Sequence, residues 1–138
     1  MPDTWGVRPP EGKITANFSW DEARCRCGCG RVAGIEVVKI TAQWLEQVRA
    51  VFNKPIHINS WCRCPEHNAK LPGAAKHSYH MTGMAVDITI RGLTPFQVWF
   101  KLRWKHWGVK KLVGGLGRYA SFTHVDRRAY AAKWGGDE

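Results

Sequence analysis

Apolar residues recur at helical spacing from Glu36 to Phe52, where Val37, Ile40, Trp44, Leu45, Val48 and Phe52 trace one face of a predicted amphipathic helix. Asn53-Lys54-Pro55 ends it. The period then changes. In PIHINS, Ile56 and Ile58 alternate with polar residues and predict a short strand. PEHNAKL reads as a short helix with Pro65 in its first turn, and LPGAAKHSYHMTG as a loop opened by the turn signal Pro72-Gly73. MAVDITI is a second strand, with Val86, Ile88 and Ile90 on one face and Ala85, Asp87 and Thr89 on the other. Thr94 and Gln97 form a capping-box pattern at the head of a helix that runs to about Trp107. GGLGRY and FTHVDRR supply two further strands. Helices alternating with short strands, without internal repeats, predict an α+β fold.

The chain has 138 residues, enough to bury a core in one domain without disulfide support. A hydrophobic fraction of 44% with eight tryptophans excludes a disordered chain. No apolar run approaches the roughly 18 residues needed to span a bilayer, so no membrane span is expected. The opening segment MPDTWGVRPPEGK lacks the apolar stretch of a signal peptide and reads as an extended arm over residues 1–15, with a single domain over 16–138. Lys and Arg outnumber Asp and Glu by 21 to 11, a formal charge of +10 that favours a polyanionic partner: nucleic acid, an anionic membrane surface or the acidic polymers of a cell wall.

Chemistry gathers around HSYHMTGMAVD, residues 77 to 87. An unpaired carboxylate inside an apolar strand is costly, so Asp87 needs a hydrogen-bonding partner, an arginine or a metal. FTHVDRR places His124 and Asp126 on one strand face with Val125 on the other. His80, Asp87 and His124 together provide two imidazoles and a carboxylate, a set that zinc accepts with a fourth position left open for water. An iron oxygenase would need another histidine after His124-Val125-Asp126, and none follows.

Ser78-x-His80-x-x-Gly83-x-Ala85-x-Asp87 resembles the S-x-H-x-x-G-x-A-x-D motif of the M15 zinc peptidases, which include D-Ala-D-Ala carboxypeptidases and the phage endolysins that cut L-Ala-D-Glu bonds. NFSWDEARCRCGCG, NSWCRCPEHN and GGLGRYASFTHVD resemble three further segments of that family, in the same order. The resemblance implies a small antiparallel sheet carrying a zinc site, flanked by helices. It further implies that His80, Asp87 and His124 bind Zn²⁺ and that Arg63 grips a substrate carboxylate, a role suited to a planar, permanently charged fork. Ser78 is then a supporting or substrate-bonding residue. The implied substrate is a peptidoglycan stem peptide, cut by a metal-activated water. With no signal peptide, a phage lysis or virion protein acting at the bacterial cell wall is the expected setting.

One departure from the family pattern stands out. Members carry an Asp or Glu three residues before the second histidine ligand, and here that residue is Ser121. Asp126 and His77 are the candidate substitutes for the missing general base. Asp126 would have to reach across about 7 Å of strand, and could instead orient a ligand or pair with Arg127 or Arg128. The same gap keeps open a non-catalytic zinc-binding module, as in the hedgehog signalling domain, whose fold and zinc site are similar to these peptidases.

Five cysteines are an odd number, so they cannot all pair within one chain. Cys25, Cys27 and Cys29, with Cys62 and Cys64, read as half-buried thiols, as one disulfide between the two segments, or as a second metal site. KLRWKHWGVKK interleaves Lys101, Arg103, Lys105, Lys110 and Lys111 with Trp104 and Trp107. It reads as an amphipathic helix with tryptophan in the core and a solvated basic face, in preference to a nucleic-acid surface. His57 and His106 are expected to be structural, and His67 to fix loop geometry.

Overall fold

The computed structural model describes residues 5–72 and 74–135, so Gly73 of the predicted Pro72-Gly73 turn lies outside the described residues, as do residues 1–4 of the arm. The first element is a single helical turn, α1 (Trp20–Ala23), which Ser19 and Glu22 cap reciprocally. The predicted amphipathic helix is α2 (Ile35–Phe52). It ends where Asn53 turns left-handed (φ 52°) and returns its N–H to the carbonyl of Arg49, a conformation that asparagine tolerates better than most side chains. Its buried face carries Val38, Ala42, Leu45, Val48 and Phe52, whereas Ile40 is half exposed. Each fully buried aliphatic side chain there contributes about 1.5–3 kcal/mol.

The strands are β1 (Ile56–Ser60), β2 (Ala85–Ile90), β3 (Gly115–Arg118), β4 (Thr123–Asp126) and β5 (Ala132–Trp134). They form one sheet in the order β1-β2-β4-β3-β5. The first four pair antiparallel, as predicted, but β5 joins β3 in parallel, so the sheet is mixed. A three-residue strand offers too little alternation to be read in advance. The short helix α3 (Pro65–Lys70) follows β1, and α4 (Pro95–His106) follows β2 with the expected Thr94–Gln97 box. α4 packs on β2, β3 and β4.

The end of α4 corrects the expectation that its tryptophans are core residues. Trp99 is buried, but the helix breaks at Trp104 and Lys105 (φ 105°), which leaves Trp104 64% exposed. Phe100 and Phe96, one and two turns earlier, are also exposed.

One hydroxyl ties the layers together. Thr41 of α2 is within hydrogen-bond distance of the Gly83 carbonyl (2.8 Å) and accepts from Arg127 Nε (2.8 Å). The indole of Trp61 donates to the same Gly83 carbonyl at 3.1 Å. Gly83 itself has φ +80°, and a Cβ there would meet Ala33 and Val37 at 3.3–3.4 Å, so the turn requires glycine.

Candidate metal centre

Asp87 and His124 are direct partners across the antiparallel pair β2–β4, as are Ala85 and Asp126. Partners in a ladder share a face, so the sheet alone brings the Asp87 carboxylate and the His124 ring together. His80 arrives from a 3₁₀ turn, Tyr79–Thr82, which Ser78 caps by accepting the His80 N–H at 3.2 Å. On the other side Asp87 faces Ser60, where a bulge shifts the register of β1 at the sheet edge.

The ring nitrogens fall into two sets. His80 Nδ1 lies 2.7 Å from the Trp61 carbonyl, which can only accept, so Nδ1 carries a proton and Nε2 is free. His124 Nε2 lies 2.8 Å from Asp126 Oδ2, which leaves its Nδ1 free. The free nitrogens, His80 Nε2 and His124 Nδ1, each stand 3.1 Å from the same oxygen, Asp87 Oδ1. A tetrahedral ion with ligands at about 2.0–2.1 Å would hold them about 3.3 Å apart. All three residues are buried, and together they form one of two groups among the described residues that could hold a metal.

Charge follows the same logic. Burial pulls the His80 pKa down, against the pull of Asp87, so its Nε2 presents a lone pair to a carboxylate oxygen. Burial opposes ionisation of Asp87, but its close contacts with the His124 and His80 rings hold its carboxyl well below the usual range. Two acceptors facing each other in a buried site call for a cation between them. The donor set fits zinc.

Asp126 is fully buried, and its oxygens are taken by His124 on one side and Arg128 on the other. Arg128 approaches with Nε at 2.8 Å and Nη2 at 2.6 Å. Burial is again outweighed by these bonds, and Asp126 is held well below the ordinary carboxylate pKa. The Asp126 carboxylate therefore braces the far nitrogen of His124, the usual place of a group that orients a metal ligand. Of the partners open in the sequence, Arg128 is the one that Asp126 meets.

His77 is exposed and lines the same cleft. Arg63 is buried beneath it: Nη1 donates to Asn68 Oδ1 (3.0 Å) and Nη2 lies 3.5 Å from Asp87 Oδ2, while Nε is buried without a partner. Ser121 is exposed in the turn between β3 and β4. The cleft is lined by Arg26, Arg63, Lys76 and Arg128, and Asp87 is its sole carboxylate among the described residues. His67, expected to fix loop geometry, also lines it.

Several supports were not legible in the sequence. Gly115 pairs with Asp126 and Gly117 with His124, and a Cβ on either would collide, with the Asp126 carboxylate or with the Trp134 ring respectively. Trp134 then lies against His124, ring centroids 5.1 Å apart. Arg128 is walled by Tyr79, Tyr130 and Trp134, with its guanidinium 4.5–5.5 Å from each ring. The G-x-G spacing in GGLGRY was the available signal, since glycines in a strand mark close approach.

A family model described as Peptidase M15 matches residues 16–126. No curated protein matches the chain. The matched span holds His80, Asp87, His124, Arg63 and Ser78, and it ends at Asp126, so Arg128 and Trp134 lie beyond it.

Proposed function

The chain belongs to the peptidase M15 family, a family of metallopeptidases, and we propose that it is a zinc peptidase that hydrolyses a bond in the peptidoglycan stem peptide, D-Ala-D-Ala or L-Ala-D-Glu. The observation that carries this is the approach of His80 Nε2 and His124 Nδ1 to one oxygen of Asp87 at the base of a cationic cleft. These three residues would hold the ion. Zinc there supplies Lewis acidity toward a carbonyl oxygen and a water of lowered pKa.

The protein's own groups do the rest. Asp126, fixed by Arg128, holds the His124 ring in one orientation and keeps the proton on Nε2. The Trp61 carbonyl does the same for His80. Arg63, which lines the cleft, grips a substrate carboxylate. Stem peptides carry several carboxylates, which suits walls of Arg26, Lys76 and Arg128. Ser78 positions His80 through the turn that it caps. With Ser121 at the usual acid position and Asp126 engaged, His77 is the proposed general base. The charge of +10 suits an anionic wall, and a phage lysis or virion protein is the proposed setting.

Mass spectrometry of peptidoglycan fragments incubated with zinc-loaded protein tests this reading. A product that disappears with His80→Ala supports it, and the product mass names the bond. The want of a second carboxylate in the cleft favours one rival, a zinc-binding module without catalysis. No product from protein holding zinc at this centre would select that rival.

A further inference from the structure

The second group of metal-ligating side chains lies outside the cleft. The thiols of Cys25, Cys27, Cys29 and Cys64 all lie within 4.8 Å of one another. Cys25 Sγ is 3.5 Å from Cys27 Sγ, which is 3.6 Å from Cys64 Sγ. A tetrahedral zinc with four sulfurs at about 2.3 Å spaces them about 3.8 Å apart. All five cysteines are free thiols, and the fifth, Cys62, stands outside the group, buried and accepting the N–H of Ala33 at 3.4 Å. We propose that Cys25, Cys27, Cys29 and Cys64 form a second, structural zinc site that clamps the 25–31 loop to the segment bearing Arg63.

The backbone is shaped for it. Gly28 and Gly30 take φ of +95° and +71°, and the Cys25 N–H closes the loop on the Arg31 carbonyl at 2.9 Å. These left-handed turns bring three alternate cysteines around to Cys64, which is 37 residues beyond Cys27. Amide N–H groups already aim at the sulfurs: Cys29 at Cys27, Cys64 at Cys25, and His67 at Cys64, all within 3.3–3.4 Å. Donors of this kind stabilise thiolates, and they are the outer shell that a metal centre needs. Four thiolates on one divalent ion leave a net charge of about −2, and Arg24, Arg26 and Arg31, within and beside the cysteine run, are placed in the sequence to offset it. Two of the four residues, Cys25 and Cys64, are buried, while Cys27 and Cys29 are exposed and leave a path for the ion. Four protein ligands leave no open position, so the site is structural, and all-thiolate donors select zinc over harder ions.

Its consequence for the cleft runs through one peptide bond. Cys64 follows Arg63, whose guanidinium sits beside Asp87. The zinc clamp fixes that arginine from behind. The site stands independently of the peptidase reading.

Metal analysis of the full chain, purified with reductant and zinc, tests it. Wild type should hold about two zinc ions, and Cys27→Ser/Cys29→Ser and His80→Ala/His124→Ala about one each. Wild type with one zinc, lost only in the histidine variant, overturns the proposal. One zinc lost only in the cysteine variant overturns the cleft site instead. Iron in the cysteine site overturns the choice of metal. Cobalt-loaded wild type needs no variant to fold and should show strong thiolate-to-metal charge-transfer absorption; from zinc-loaded wild type a thiol-specific mercurial should release about one zinc. Absence of that band, or a disulfide among these cysteines in the native protein, overturns the proposal.

Discussion

His124 Nδ1 lies 3.1 Å from Asp87 Oδ1 while Nε2 of the same ring lies 2.8 Å from Asp126 Oδ2, so one imidazole bridges two buried carboxylates that its strand pairing separates. The two contacts are chemically distinct. One faces the point where His80 also converges; the other is a brace locked by Arg128.

Asp126→Asn should therefore weaken zinc binding at this centre about 10–100-fold, the usual cost of losing an outer-shell partner. Competition with a chromogenic chelator measures it. If Asp126 were the base, zinc affinity would hold and kcat alone would collapse.

Zinc affinity at the centre should rise with pH. Burial opposes a charged His124, but its hydrogen bonds to the carboxylates of Asp126 and Asp87 outweigh it and raise its pKa above the ordinary histidine value. A proton on Nδ1 therefore competes with the metal more strongly than on an ordinary histidine, and zinc must displace it. The proton competes with the metal below that raised pKa and ceases to above it. Calorimetry in two buffers of different ionisation enthalpy should show proton release on binding that declines as pH rises. No release at any pH would refute the raised pKa.

His77→Ala should lower kcat about 10²–10⁴-fold with zinc content unchanged, the range for loss of a general base. Unchanged turnover would remove His77 from the chemistry and send the search to His67, a half-buried histidine of the cleft lining.

Gly115→Ala should destabilise the protein by about 1–3 kcal/mol, because the added methyl drives into the Asp126 carboxylate. The midpoint of urea unfolding reports this. Zinc affinity should fall with it, as the brace on His124 shifts; a stable variant with normal affinity would show that the site has slack.

Much of this arrangement was legible in the sequence because it rests on local periodicity. Asp87 stood out as a carboxylate among Val86, Ile88 and Ile90, and His80 and His124 were reachable by spacing and by family resemblance. The outer ring was not legible, for physical reasons. The choice between Arg127 and Arg128 as partner of Asp126 stayed open because both neighbours carry the same charge, and the Trp61 carbonyl is a backbone group that carries no side-chain signal. Trp104 leaves the core through a helix break that no pattern announces. The grouping of the cysteines stayed open in the sequence because it depends on glycines of positive φ that wrap them into a turn.

The Thr41 hydroxyl has a mechanical meaning beyond its hydrogen bonds. It joins α2 to Gly83, three residues after His80, and to Arg127, three residues after His124. Both histidine-bearing segments thus hang from one point on the longest helix. Motion of that helix carries the two ligands together, as common displacement, and leaves their separation nearly unchanged. The domain can breathe while the gap between its two imidazoles keeps its width.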